Sequence, residues 1–324
     1  MIKDFLRIAD VAPDDLERLL ALSAELKTDP ESRGKPLDGE TVVLYFAKPS
    51  TRTRISFEAA IAHFGGLPAM VGPAELQLGR GETIEDTARV VSEYARVFVI
   101  RTTSDDDVRQ FATAASIPVI NALTENHHPC QAVADLLTLR EHFGRVAGLR
   151  VAYVGDAKNN VTHSLMEACA LLGASLAIGS PQSLGPDAGV LKWARAAAAW
   201  HDAEIVLTDD PRIAVQGAHA VYTDVWLSMG DPEDLRAERM RQLSPYRVTP
   251  ALLALAAPDA VFMHCLPAHR GEEVEAAVID GPQSVVFQQA ENRLPTEMAI
   301  LYALVNHLLV GATHIEPVAA FRGS

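Results

Sequence analysis

Thr41-Val42-Val43-Leu44-Tyr45-Phe46-Ala47-Lys48-Pro49-Ser50-Thr51-Arg52-Thr53-Arg54-Ile55-Ser56-Phe57-Glu58 changes character halfway along. The run Thr41 to Phe46 is short, apolar and rich in β-branched and aromatic residues, which reads as a buried strand. From about Thr53 to Phe64 the pattern is helical. The joint between them is polar and cationic. In an open parallel sheet, ligands sit outside the carboxyl ends of strands. A helix N-terminus placed there offers unpaired N–H groups and a positive partial charge. The hydroxyls of Ser50, Thr51 and Thr53 and the guanidinium of Arg52 add donors that suit a tetrahedral dianion. By itself the hexapeptide from Pro49 to Arg54 also fits an ordinary N-cap beside a surface arginine pair.

The same alternation extends outward. Val97 to Ile100 reads as a strand, a polar helical stretch starts near Asp105, and Pro118 to Ile120 reads as another strand. The pattern restarts after Gly148. A strand at Arg150 to Val154 leads into a helix from about Asn160 to Leu172, and further strands lie near Leu176, Ile205, Val221 and Val261. Short apolar strands between amphipathic helices imply mostly parallel sheets covered on both faces. The fold class expected is therefore α/β, with two doubly wound domains linked by interdomain helices. The strongly helical segment Pro129 to Phe143 is the expected join, dividing residues 1–142 from 143–294. A last helix from about Pro295 to Val310 is expected to fold back onto the first domain together with the tail, 295–324. The first helix, about Pro13 to Lys27, reads as structural, with a buried stripe of Leu16, Leu19, Leu20 and Leu26 and with Asp14 and Asp15 at the positive end of its dipole.

The chain has 324 residues, which suits two domains of about 150 each. Hydrophobic residues make up 48% and charged residues 22%, ordinary values for a chain with sizeable cores. A formal net charge of −14 repels nucleic acid and anionic lipid, so neither is an expected partner. An acidic chain that binds an anion has to gather its few arginines locally. Cys130, Cys169 and Cys265 are odd in number and widely spaced, against a disulfide framework and against a metal site. Neither a signal pattern nor a bilayer-length apolar run is present, which makes the cytoplasm the expected compartment.

Ser50-Thr51-Arg52-Thr53-Arg54 resembles the carbamoyl phosphate-binding signature of the aspartate and ornithine carbamoyltransferases, and the extended form Phe46 to Glu58 is closer to the ornithine branch. Further matches follow in order. Gln77-Leu78-Gly79-Arg80-Gly81-Glu82-Thr83 resembles the family loop that reaches into the neighbouring subunit's site. Arg101 ends its strand, as the family's second phosphate-site arginine does. His128-Pro129-Cys130-Gln131 resembles the His-Pro-x-Gln motif, and Arg293 in Gln289-Ala290-Glu291-Asn292-Arg293-Leu294 matches the arginine that closes the site; the alternative from the residues alone is a surface arginine capped against Glu291. For carbamoyl phosphate the resemblance implies Ser50, Thr51, Arg52, Thr53, Gln77, Arg101, His128, Gln131, Arg293 and the backbone carbonyls of Cys265 and Leu266. Arg52, Arg101, His128 and Cys265 are the expected catalytic set. The chemistry asks for such residues: an amine attacks a carbonyl, an oxyanion forms, and donors must face it. The reaction needs no cofactor.

The second half should select the amine. Gly155-Asp156-Ala157-Lys158-Asn159-Asn160 stands where a dinucleotide-binding fold carries its glycines, yet Gly155 is alone there, so a nicotinamide site is not expected. From the residues, Asn159-Asn160 is a helix cap; the resemblance implies that Asn160 contacts the α-carboxylate of ornithine. Asp224-Val225-Trp226-Leu227-Ser228-Met229-Gly230 resembles the ornithine loop, with Asp224, Ser228 and Met229 as ligands. His264-Cys265-Leu266-Pro267 resembles the ornithine-branch motif, with Cys265 and Asp224 holding and deprotonating the amine, assisted by His264. The expected activity is carbamoyl transfer to the side-chain amine of L-ornithine, giving L-citrulline and phosphate, in arginine biosynthesis or the related catabolic pathway. A homotrimer or a multiple of trimers comes with the resemblance. Transfer to another amine such as putrescine, and a non-catalytic binding protein on this fold, are the alternatives. Two positions depart from the family pattern: His127 replaces an aromatic residue and Pro295 a histidine.

Overall fold

The computed structural model describes residues 1–76, 81–227 and 236–312. Two compact units emerge, Met1–Leu137 with the segment that begins at Glu291, and Thr138–Ala290.

In the first unit, α1 (Pro13–Thr28) precedes β1 (Thr41–Phe46), α2 (Arg52–His63), β2 (Leu67–Val71), α3 (Ile84–Ser92), β3 (Val97–Arg101), α4 (Asp105–Ala114), β4 (Val119–Leu123) and α5 (Pro129–Phe143). The strands form one parallel sheet in the order β2-β1-β3-β4. The chain thus winds outward in both directions from β1 and β3, and the crevice where winding reverses lies at their carboxyl ends. Ala47 N–H bonds to the Arg101 carbonyl at 2.8 Å, which fastens the two strand ends together there. The edge strand β2 is missing from the sequence reading because its run is short and carries Pro68 near its start; Leu67 and Pro68 are exposed. An edge position is where a strand tolerates proline. On one face Phe98 stacks on Phe111 with centroids 4.1 Å apart.

The second unit follows with β5 (Arg150–Val154), α6 (Asn160–Leu171), β6 (Ser175–Gly179), α7 (Ala188–Ala199), β7 (Ile205–Thr208), α8 (Pro211–Val215), β8 (Ala220–Thr223), α9 (Arg236–Leu243), α10 (Pro250–Leu253), β9 (Val261–His264), α11 (Ala276–Ile279) and α12 (Val286–Glu291). Its sheet is also parallel, ordered β7-β6-β5-β8-β9, so winding reverses between β5 and β8. Trp226, Tyr246 and Phe262 help fill one core cluster. Both sheets are of the expected α/β class. The boundary at Leu137/Thr138 falls inside α5.

The last helix, α13 (Arg293–Val305), packs on α1 and α2 of the first unit. It starts two residues earlier than periodicity suggests and ends sooner. His307 adopts φ +54° and Leu308 N–H bonds back to Ala303 at 2.9 Å, a left-handed termination that apolar spacing does not reveal. Asp15 closes this end. Its carboxylate, 1% exposed, accepts the N–H groups of Val310 at 2.6 Å and Gly311 at 2.9 Å. Asp15 was expected only to favour the helix dipole; its larger role is to anchor the chain that leaves α13. Gly311, at φ +87°, has no room for a side chain, since a Cβ would meet Ile2 at 2.1 Å.

Asp15→Ala orphans two N–H groups, at about 1–3 kcal/mol for each buried group left unsatisfied. We expect a loss of about 2–4 kcal/mol in urea unfolding. An unchanged midpoint would show that the anchor contributes nothing.

Candidate active site

In the first unit, β1 delivers the chain to α2 through Pro49-Ser50-Thr51. Thr51 is helical and its hydroxyl does not cap, so the ordinary N-cap is not what this turn makes. The two arginines of the motif diverge. Arg54 lies on the surface, paired with Glu58 at 3.0 Å, whereas Arg52 is half-buried. Ser50 is half-buried and Thr51 exposed, while Thr53 is buried on the first turn of α2. Arg101 is the last residue of β3, level with Phe46, and only 8% exposed.

His128 stands at the start of α5. Burial, and then the positive charges of Arg293, Arg101 and Arg52, hold its imidazole well below the usual histidine range. The ring is neutral at physiological pH, and three guanidinium groups act on it. These residues come from four separate stretches of the chain and converge on the carboxyl ends of β1 and β3.

Arg293 is buried, not on the surface. Its guanidinium donates to Gln131 Oε1 at 2.9 Å, Thr53 Oγ1 at 3.1 Å and Glu297 Oε1 at 2.5 Å. Glu291 instead lies 3.6 Å from Lys27. Gln131 in turn donates Nε2 to Asp135 at 2.8 Å. An amide oxygen accepts two hydrogen bonds, so Gln131 Oε1 has capacity for one more donor. Glu297 escaped the sequence reading. Its signal was an acid one helical turn after an arginine within an otherwise apolar helix.

The turn before His128 is tied down by Asp105, at the start of α4. Asp105 takes His127 Nδ1 at 2.7 Å, Asn126 at 2.8 Å and Thr124 at 2.8 Å. Burial would raise this carboxyl, but the bonds from His127 and Asn126 hold it down to about 2. His127 thus has a largely buried carboxylate partner.

In the second unit, the residues cluster at the carboxyl ends of β5, β8 and β9, beside its winding reversal. Asn159 is the N-cap of α6, accepting from Thr162 N–H at 2.8 Å. Asn160 is the first residue of that helix, half-buried. The cap reading therefore belongs to Asn159 and not to Asn160. Asp224 follows β8, and its Oδ1 accepts the Cys265 thiol at 3.0 Å. Asp224 and the dry surroundings keep the buried Tyr153 hydroxyl protonated, burial being the larger cause.

The supposed assistance from His264 needs correction. It is fully buried, Nδ1 accepts the Leu266 N–H at 2.8 Å, and Nε2 faces Glu273 at 3.3 Å. Both nitrogens are used in shaping the turn after β9, in which Leu266 adopts φ +58°. Gln77, Ser228 and Met229 lie outside the described residues.

Two groups of metal-ligand side chains converge among the described residues, Asp224–His264–Cys265 and His269–Glu272–Glu273. In the first, the imidazole is engaged as just described. In the second, Glu272 pairs with Arg236, and Glu273 accepts the His269 N–H at 2.5 Å.

Family models match both halves of the chain. The carbamoyl-P binding domain of aspartate/ornithine carbamoyltransferase matches residues 3–141, and the Asp/Orn binding domain matches 147–304. The chain belongs to the aspartate/ornithine carbamoyltransferase family. Within it, the ornithine carbamoyltransferase of Anoxybacillus flavithermus is 48% identical over 305 residues, covering 94% of this chain and 96% of that one. That of Bacillus subtilis is 46% identical over 304 residues, 94% of each chain. The solved ornithine carbamoyltransferase from Pyrococcus furiosus superposes with a TM-score of 0.89 at 45% identity, over 93% of this chain and 96% of that one.

The depressed His128 pKa has a consequence for folding. The unfolded chain takes up a proton at this histidine below about pH 6.5, and the folded chain resists it. Stability is therefore lost as pH falls below 6.5. His128→Gln should lose less stability between pH 7 and 5 than the parent, as followed by thermal midpoints; parallel curves would refute the burial of a neutral ring.

Proposed function

We propose that the chain transfers the carbamoyl group of carbamoyl phosphate to the side-chain amine of L-ornithine, giving L-citrulline and phosphate. The observation that carries this reading is the buried neutral His128 under the influence of Arg52, Arg101 and Arg293 at a sheet's winding reversal. Such an arrangement suits a phosphorylated substrate whose carbonyl must be polarised. A neutral imidazole donates to the developing oxyanion without bringing a proton to the attacking amine. Arg101 and Thr53 supply further donors, Gln131 orients the carbamoyl amide, and Arg52 takes up charge on the departing phosphate.

On the second unit, Asp224 and Cys265 hold the side-chain amine, and Asn160, Ser228 and Met229 hold the amino-acid head. Ornithine's δ-ammonium has a pKa near that of lysine, about 10.4, and must lose a proton before attack. The amine lone pair then forms the C–N bond, the carbon–oxygen bond to phosphate breaks, and phosphate leaves with the electron pair and takes up the surplus proton from the new C–N nitrogen. No helix among the described residues is long and apolar enough to cross a membrane. The reading assigns the enzyme to the cytoplasm, to arginine biosynthesis or the related catabolic pathway, and to a homotrimer or a multiple of trimers. Support for assembly comes from the first unit's large exposed apolar side chains, Ile55, Leu67, Val90 and Tyr94.

Citrulline-type products should form from carbamoyl phosphate with ornithine, and far less with putrescine or aspartate. A preference for putrescine moves the assignment to that amine, and no turnover at high enzyme concentration leaves a binding protein. Arg52→Ala, with its fold intact, should lower kcat/KM by more than about a hundredfold, because a charged hydrogen bond worth roughly 1.5–3 kcal/mol tightens in the transition state.

Sharing of sites between subunits has its own test. Inactive Gln77→Ala and Arg52→Ala chains, dissociated and reassembled together, should regain activity, since some sites then pair an intact Arg52 with a neighbour's intact Gln77. Mixed trimers verified by mass spectrometry that stay inactive would rule it out.

A further inference from the structure

Glu297 is a buried acid beside the proposed carbamoyl phosphate site that the proposed chemistry leaves unused. It is fully buried on α13, one turn after Arg293, and its Oε1 meets the Arg293 guanidinium at 2.5 Å. Ser56 on α2 lies beside the same carboxyl, its hydroxyl donating to the Arg52 carbonyl at 2.7 Å. The neighbouring charges and titratable groups are Arg293 on α13 and, from α5, Cys130 and Asp135, the latter acting on Arg293. Burial pushes the Glu297 carboxyl up to about 7 against the pull of Arg293, so a buried acid is maintained here at a cost.

The geometry accounts for that cost. The same Arg293 nitrogen that meets Glu297 also donates to Thr53, and the other terminal nitrogen donates to Gln131. A guanidinium is a rigid planar fork, so fixing one nitrogen fixes the direction of the rest. Three helices, α2, α5 and α13, meet through this one group. Gln131 is further held by Asp135, so its carbonyl direction is set from both ends.

We infer that Glu297 is a positioning residue: its carboxylate oxygen fixes Arg293 across Thr53 and Gln131, and thereby aligns the groups that bind carbamoyl phosphate. The inference rests on the assignment of Arg293, Thr53 and Gln131 to that substrate. A simpler role, neutralising a buried arginine, needs only the negative charge and not the position of the oxygen.

Carbamoyl phosphate kinetics at saturating ornithine separate the two. Glu297→Ala should raise the KM for carbamoyl phosphate by about tenfold or more, and Glu297→Gln, which keeps the acceptor oxygen in place without charge, should restore it to within about threefold of the parent. Glu297→Asp keeps the charge but withdraws the oxygen by one methylene, and its KM should rise by at least about fivefold. The opposite order, with Asp normal and Gln defective, or an unchanged KM in all three, overturns positioning. If Glu297→Ala does not fold, the Gln and Asp variants decide alone. In an Arg293→Ala background the Glu297→Asp effect should vanish; full additivity counts against the inference. Arg293→Ala with unchanged carbamoyl phosphate KM would instead remove the underlying site assignment, an outcome distinct from the failure of Glu297 alone.

Discussion

Gathering like charges in a dry place is the constraint on which the first unit is organised. Two unit charges 4 Å apart repel by about 4 kcal/mol at an effective dielectric of 20. A site drawing on Arg52, Arg101 and Arg293 needs counter-charges and a scaffold that cannot relax. Glu297 and Asp135 supply the charges from α13 and α5. The scaffold is the crevice at the ends of β1 and β3, where strand ends are locked by backbone bonds and the helix dipole of α2 is aimed at the same point. The buried imidazole records the result: it stays neutral because a fourth positive charge there would be opposed by three others and by desolvation.

The second unit applies the same topology to a different electrostatic task. Its ligand-type residues also follow the strands at a winding reversal, but Asp224 brings a negative charge, with the Cys265 thiol resting on it at 3.0 Å. The turn carrying Cys265 is held from beneath by His264, whose ring nitrogens and backbone N–H are engaged with Leu266, Glu273 and Gln289. A cationic cluster in one unit and an anion with a thiol in the other suit an anionic and a cationic substrate respectively.

Membership in the aspartate/ornithine carbamoyltransferase family gives these arrangements a common chemistry, and two local features support the site's frame. At position 127 a histidine pairs with Asp105 and takes part in a hydrogen-bond network ahead of His128. At position 295 a proline occupies the first turn of α13, where its missing N–H costs nothing. Neither alters the groups assigned to chemistry.

What the sequence determined by itself was everything carried by short-range signals. Strand β1 running into α2, the restart at Arg150, the span of α5 and the motif residues Arg52, Arg101, His128, Asp224 and Cys265 were legible because periodicity, helix-start chemistry and contiguous motifs are local. Strand β2 was hidden by its shortness and by Pro68, and the end of α13 by a left-handed turn at His307. The tertiary structure alone decided partnership. Arg293 reaches Thr53 across 240 positions and Gln131 across 162, and neither distance leaves a trace in local composition. The same holds for Glu297, which reads as an ordinary helical acid until burial removes the solvent that would otherwise satisfy it, and for His264, whose place beside a catalytic-looking cysteine suggested reactivity until packing engaged both its nitrogens. Folding decides which polar groups lose water, and a group that has lost water must take whatever partner the fold brings to it.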